Sequence, residues 1–296
     1  MIANSTDKTL RLTDGRLLGY AEYGDPEGKP LFYFNGTPGS RVEARLADGI
    51  AGRLGVRLIG TDRPGYGLSD FKPGRTFTEW PDDVLELAQA LHVERFGVLG
   101  YSGGGPHVAA CALRMPQRLT VAAIVSCSLL HDAPEAIDGV RQRRLIQSVS
   151  RRSPGLRRLV WWTIALTTRR FPSLMISRMG GMMAAPDRAV LARPEVRAMF
   201  IDDFVEAFRR GTRGAAWDMA LVARPWGFQR GDITGEIQLW HGEEDTNAGR
   251  IASRDIPNCR ATFLPGEGHL LLWNHMEEIL GRLAELMTDS ASAARV

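Results

Sequence analysis

The alternation of apolar runs with amphipathic segments is the feature that most constrains the fold of this chain. Short apolar runs predict strands, and several are apolar throughout, as in strands buried on both faces. These predicted strands lie at 17–23, 31–34, 56–61, 96–100 and 120–126. Helical patterns separate them at 41–54, at 78–91 and after Gly104. Such alternation predicts an α/β fold with a mostly parallel central sheet flanked by helices.

A long segment interrupts this alternation. Between 131 and 231 no strand-like run occurs, and helix-type stretches begin at prolines, which the first turn of a helix tolerates. Strand patterns resume at 237–240 and 261–264, and 270–287 predicts a closing helix. We therefore expect an α/β core of residues 1–130 and 232–296, with a helical cap inserted at 131–231.

A G-x-S-x-G motif, Gly100 to Gly104, stands between a predicted buried strand and a helix. At such a turn the serine is exposed on a strained backbone, and the glycines let strand and helix approach closely. The motif alone is weak in a chain with 32 glycines. Its strand–turn–helix context favours Ser102 as a nucleophile over an ordinary turn serine.

With this turn the chain resembles the α/β-hydrolase family over nearly its whole length. In that family an acid and then a histidine follow the serine, each just after a strand. Asp245 ends the run HGEED after the strand at 237–240, and His269 ends GEGH after the strand at 261–264. The resemblance implies a triad in which His269 takes the proton of Ser102 and Asp245 orients the imidazole.

The run FNGTPGS at 34–40 is similar to the family's H-G-x-P-G loop, which supplies one amide of an oxyanion hole. This match implies the backbone N–H groups of Thr37 and Gly103 as the two donors. Asn35 stands where the family has histidine, which leaves the bracing of the loop open. The run TDRPGYGLSD at 61–70 resembles another loop of lid-bearing members, which we interpret as a structural turn.

Other residues of the same types compete for these roles. His107, one turn into the helix after the motif, is an alternative base, although we expect it to be packed. Asp245 is favoured as the acid over Glu243 and Glu244. Asp132 is the second candidate acid, because some family members place theirs after the strand that ends near 126. The aromatic residues that could line a pocket or pack in the core are Trp161, Trp162 and Trp226.

Charge divides the chain at the same place as the strand pattern. The net charge is +3, yet residues 131–230 hold 18 Arg and 9 Asp+Glu, a net of +9, against −6 elsewhere. Seven arginines at 141–158, interleaved with apolar residues, predict amphipathic helices with a cationic face. We favour a solvated face, or a genome rich in Arg codons. The alternative is attraction to anionic lipid surfaces or to an acidic substrate.

Several classes of protein are not expected. No nucleic-acid-binding motif accompanies the charge, so nucleic acid is not a predicted partner. The scattered Cys111, Cys127 and Cys259 predict neither a disulfide framework nor a metal site, and no cofactor is expected. The run MIANSTDKTL lacks a basic stretch followed by an apolar one, so no secretory signal is expected and the predicted location is cytoplasmic.

The resemblance predicts a serine hydrolase that cleaves a carboxylic ester, a small hydrophobic molecule, through an acyl-enzyme. The same triad could instead serve C–C bond hydrolysis or perhydrolysis without a cofactor, since one fold supports many chemistries. A third hypothesis is a small-ligand binding protein with negligible turnover. Acyl size, alcohol partner and oligomeric state stay open.

Overall fold

An eight-stranded sheet forms the centre of the protein. The computed structural model describes residues 7–127, 154–222, 224–245 and 248–293. The strands are β1 (Asp7–Arg11), β2 (Leu17–Gly24), β3 (Lys29–Phe34), β4 (Val56–Thr61), β5 (Phe96–Tyr101), β6 (Leu119–Val125), β7 (Ile237–Gly242) and β8 (Cys259–Leu264). Their order in the sheet is β1-β2-β4-β3-β5-β6-β7-β8. Strands β3 to β8 pair in parallel, and β2 pairs antiparallel with β1 and β4.

Helices cover both faces of this sheet. The α-helices of the described residues are α1 (Asp48–Arg53), α2 (Trp80–Ala90), α3 (Gly105–Arg114), α4 (Pro154–Arg170), α5 (Pro172–Gly181), α6 (Ala185–Ala192), α7 (Pro194–Ala207), α8 (Arg213–Val222), α9 (Ala248–Asp255) and α10 (Met276–Ala293). Side chains of β3 show how the core divides. Phe32 and Phe34 pack on the face covered by α2, α3 and α9, whereas Leu31 and Tyr33 face α1 and α10. The predicted α/β architecture is therefore confirmed.

The structure differs from the predicted elements in several places, among them the unpredicted helix α9 between β7 and β8. Strand β1 was not expected, because it is short, polar and mostly exposed at the sheet edge. The helix expected at 41–54 is a 3-10 helix, Arg41–Ala47, followed by α1. The closing helix begins at Met276 and not at 270. Residues 271–273 form a 3-10 turn whose amides bond three residues back, as Trp273 N does to Leu270 O at 3.2 Å.

Between β6 and β7 the described residues carry helices α4 to α8 and no strand. The prolines at 154, 172, 186 and 194 stand in the first turns of α4 to α7. The start of the expected cap at 131, Asp132 and the arginines 141–152 lie outside the described residues. The division at 131 and 231 therefore stays a prediction. Hereafter "cap" means helices α4 to α8.

The two neighbouring tryptophans of α4 have opposite environments. Trp161 is buried against Phe208, whereas Trp162 is 58% exposed beside the exposed Leu159 and Leu166. Trp226 is buried in the core beneath the cap, in contact with Phe77. None of the described helices is long and apolar enough to cross a membrane.

Candidate active site

The G-x-S-x-G motif forms a sharp turn between β5 and α3. Ser102 has φ 50°, a left-handed conformation that is costly for a residue with a side chain. A Cβ on Gly100 would lie 2.6 Å from Gly104 O, and one on Gly104 would lie 2.9 Å from the Phe34 carbonyl carbon. Both contacts are with backbone that cannot yield. The outer glycines are thus required by the close approach of strand, turn and helix.

The structure brings Ser102, His269 and Asp245 together at the carboxyl ends of β5, β8 and β7. His269 Nε2 lies 2.9 Å from Ser102 Oγ, and His269 Nδ1 donates to Asp245 Oδ2 over 2.7 Å. A proton on Nδ1 leaves Nε2 as the acceptor that faces the serine hydroxyl. The geometry is that of a nucleophile, a base and a residue that orients the base.

Thr37 and Gly103, the residues expected to supply oxyanion donors, lie against each other. A Cβ on Gly103 would lie 3.3 Å from Thr37 N and 2.9 Å from Thr37 Cβ. The loop that carries Thr37, residues 35–40, therefore packs directly on the turn that carries Ser102. We call it the 35–40 loop.

A buried arginine braces this loop. Arg63 donates to Asn35 O, to Gly36 O over 2.8 Å and to Thr37 Oγ1 over 2.8 Å. Its Nε donates over 2.9 Å to Asp218 on α8. The sequence run containing Arg63 was interpreted only as a structural turn. Its role on the 35–40 loop was missed, because the motif does not tell where a side chain points.

Glu43 holds the same loop from the other side. Its Oε2 accepts from Gly36 N over 2.7 Å and from the Tyr33 hydroxyl over 3.2 Å. Asn35 Nδ2 donates to Gly36 O over 3.0 Å. The bracing left open by Asn35 thus comes from Arg63 and Glu43, neither of which the sequence singled out.

Two aspartates of the cap accept hydrogen bonds from loops of the site. Asp203 on α7 accepts from Ser40 N and from Ser40 Oγ, each over 2.7 Å. Asp187 on α6 accepts from Leu270 N over 2.8 Å, one residue after His269. Both carboxylates are buried. Together with Asp218, each of three successive cap helices contributes one buried acid to a loop of the site.

The Asp218 cluster combines one carboxylate with two guanidinium groups. Burial alone would raise the pKa of Asp218, but Arg75 and Arg63 outweigh it and hold that pKa below its usual range. Burial lowers the pKa of His107 well below its usual range, and the Arg63 charge adds to this. His107 Nδ1 donates to Gly103 O over 3.1 Å, and the ring packs against Phe77. It does not contact the Ser102 hydroxyl.

Glu43 and Asp203 form a second buried group, with carboxyls facing opposite ends of the 35–40 loop. Burial raises the pKa of Asp203 to about 7. Burial, together with the charge of Asp203, raises the pKa of Glu43 well above its usual range. Two ionised carboxylates so deep in the protein would repel each other. The pair therefore keeps a proton at pH values at which an isolated surface carboxyl would be ionised.

The other candidate acids do not join the triad in the structure. Glu243 and Glu244 are exposed, and Glu243 pairs with Arg250 over 3.0 Å. Asp132 lies outside the described residues. Cys111 and Cys127 are buried thiols. Within the described parts of the chain, no group of three His, Cys, Asp or Glu side chains is placed to hold a metal ion.

Comparisons with known proteins agree with this fold. A family model for the alpha/beta hydrolase fold matches residues 29–150. The chain is 31% identical over 120 residues to a non-heme chloroperoxidase of Streptomyces lividans; the alignment covers 40% of this chain and 44% of that protein. The chain thus spans less than half of that relative.

Solved structures match over nearly the whole chain. A hydrolase from Pseudomonas aeruginosa has a TM-score of 0.69 at 21% identity, covering 97% of this chain and 99% of that one. An esterase from Exiguobacterium antarcticum has a TM-score of 0.69 at 16% identity, covering 95% and 99%. At such identities the likeness concerns the fold. The family match over residues 29–150, the sheet order and the strained serine turn agree: the chain has the alpha/beta hydrolase fold.

Proposed function

We propose that this protein hydrolyses carboxylic esters through an acyl-enzyme on Ser102. The observation that carries the proposal is the hydrogen-bonded series Ser102 Oγ, His269 and Asp245, with distances of 2.9 and 2.7 Å. A serine in a strained turn, with an imidazole positioned to accept its proton, is suited to attack on a carbonyl carbon.

The steps follow from these positions. As Ser102 Oγ bonds to the ester carbonyl carbon, His269 Nε2 takes the hydroxyl proton, and Asp245 stabilises the imidazolium. Backbone N–H groups of Thr37 and Gly103 donate to the oxygen that becomes negative. The C–O bond to the alcohol breaks, and the alcohol leaves with the proton from His269. Water then repeats the sequence on the acyl-enzyme, releasing the acid and restoring Ser102.

The esterase from Exiguobacterium antarcticum shows that this fold can carry ester hydrolysis. The chloroperoxidase relative favours a second candidate reaction, in which hydrogen peroxide replaces water as the group that attacks the acyl-enzyme. Peroxide attack on the acyl-enzyme would release a peracid and likewise restore Ser102. The serine, base and oxyanion donors are the same in both reactions.

p-Nitrophenyl esters of increasing acyl length test the proposal, with Ser102→Ala as the matched variant. We expect measurable turnover by the wild type and a loss of at least about a thousandfold in kcat for Ser102→Ala, because the triad acts as a unit. Equal rates for the two proteins would contradict the proposal. The same assay with added hydrogen peroxide, followed by titration of peracid, decides whether water or hydrogen peroxide accepts the acyl group.

A further inference from the structure

Among the cations that the structure describes near the site, Arg63 is the most deeply buried, and the triad does not use it. Its side chain is 0% exposed. Burial opposes its charge, yet the carboxylate of Asp218 outweighs burial, and the pKa of Arg63 is raised above its usual value. The guanidinium is therefore a fixed positive charge inside the protein.

The guanidinium holds three successive residues of one loop. Two of its nitrogens donate to the carbonyls of Asn35 and Gly36 and to the hydroxyl oxygen of Thr37. These contacts fix the peptide planes just before the Thr37 N–H. A planar fork of donors can hold several acceptors at once, which a lysine ammonium cannot do in the same geometry.

The other side of Arg63 is held by the cap. Asp218 on α8 accepts from Arg63 Nε, and 155 sequence positions separate the two residues. The Asp218 side chain is 2% exposed, so this ion pair lies in the interior where it is shielded from water. Tyr66 adds its ring, 5.3 Å from the Arg63 guanidinium carbon.

We propose that Arg63 is a positioning residue for the oxyanion hole. We further propose that, through Asp218, this positioning depends on the place of cap helix α8 against the core. The inference rests on the proposed function. With α8 in place, Asp218 fixes the guanidinium and the guanidinium fixes the Thr37 amide. If α8 were displaced, Asp218 would no longer fix Arg63, and Arg63 would no longer fix the 35–40 loop. The transition state would then lose the correctly oriented N–H donor of Thr37.

Arg75 provides a matched control within the same cluster. It is buried and pairs with the same carboxylate, Asp218. Among the described residues, its side chain makes no hydrogen bond to the 35–40 loop. Lysine at either position keeps a buried positive charge beside Asp218. Only the substitution at Arg63 removes contacts to the loop.

The test compares Arg63→Lys with Arg75→Lys in ester hydrolysis and in the rate of labelling by a fluorophosphonate. A misplaced donor costs transition-state binding, so we expect kcat of Arg63→Lys to fall at least about tenfold, with KM within about threefold of wild type. Labelling should slow in parallel, because the phosphoryl oxygen needs the same donors. Arg75→Lys should keep both rates within about threefold.

Equal losses in the two lysine variants would overturn the inference, since both lose a buried guanidinium and only one loses loop contacts. Thermal unfolding of each variant checks that the proteins are folded. If Arg63→Lys does not fold, Asp218→Asn serves instead: it is expected to lower kcat at least about tenfold, and wild-type kcat would overturn the role of the cap. A wild type that neither hydrolyses esters nor takes the label would overturn the proposed function itself.

Discussion

The two outer glycines of the serine turn are required by the close approach of backbone and not by side-chain chemistry. Gly100 and Gly104 are needed because a Cβ on either would press on neighbouring backbone atoms. The sequence predicted this turn and the order of the triad from short motifs with strand context. Arg63 and Glu43 could not be predicted, since their partners on the 35–40 loop are set by tertiary packing.

Gly100→Ala tests the constraint directly. Because the added Cβ would lie 2.6 Å from Gly104 O, the turn must shift, and we expect a loss of about 1–3 kcal/mol in the free energy of unfolding. Urea denaturation measures it. Gly281→Ala, inside α10, places its new Cβ more than 4 Å from any atom beyond the local helix backbone, and should instead stabilise by about 0.5–1 kcal/mol. Similar values for both substitutions would contradict the packing explanation.

At the scale of elements, the cap helices are joined to the core by acids. Asp187, Asp203 and Asp218 stand on α6, α7 and α8, and their partners belong to loops after β8, β3 and β4. The sequence predicted helices here from proline positions and a lack of strand patterns. It could not pair these acids with the core, because the pairs join residues far apart in the chain.

Asp203→Asn tests the acid on α7. Burial raises the folded-state pKa of Asp203 from 3.8 to about 7, so between these values the folded protein binds more protons than the unfolded chain. The stability that this group contributes is therefore present below pH 4 and lost as pH rises to 7. Asparagine does not ionise and can still accept from Ser40. The stability of Asp203→Asn relative to wild type should rise by at least about 1 kcal/mol from pH 4 to pH 8.

The neighbouring Asp202 offers a control for this pH effect. It is exposed and pairs with Arg45 at the surface. Denaturant unfolding of Asp202→Asn should show a difference from wild type that changes little over the same pH range. If the free energies of unfolding of Asp203→Asn and of wild type changed in parallel with pH, the raised pKa assigned to the buried Asp203 carboxyl would be contradicted.

Across the whole molecule, the charge of the cap has two parts that lie at different depths. Residues 131–230 carry a net of +9, and arginines of the described cap helices such as Arg169, Arg178 and Arg188 are exposed. The acids that bind the site loops are buried. The near-neutral total of +3 therefore combines a basic outer surface on the cap with an ionic contact between cap and core. Composition showed that charge is divided between the two parts of the chain, but not which charged side chains face solvent and which face the core.

The central claim is that Ser102 carries the acyl group during turnover. The most direct measurement is intact-mass and peptide-mass analysis of protein quenched within the first turnovers of a p-nitrophenyl ester. The account predicts a mass increase equal to the acyl group, located on the peptide containing Ser102 and absent from Ser102→Ala. Ester turnover with no acyl adduct on Ser102, or with the same adduct in Ser102→Ala, would contradict it.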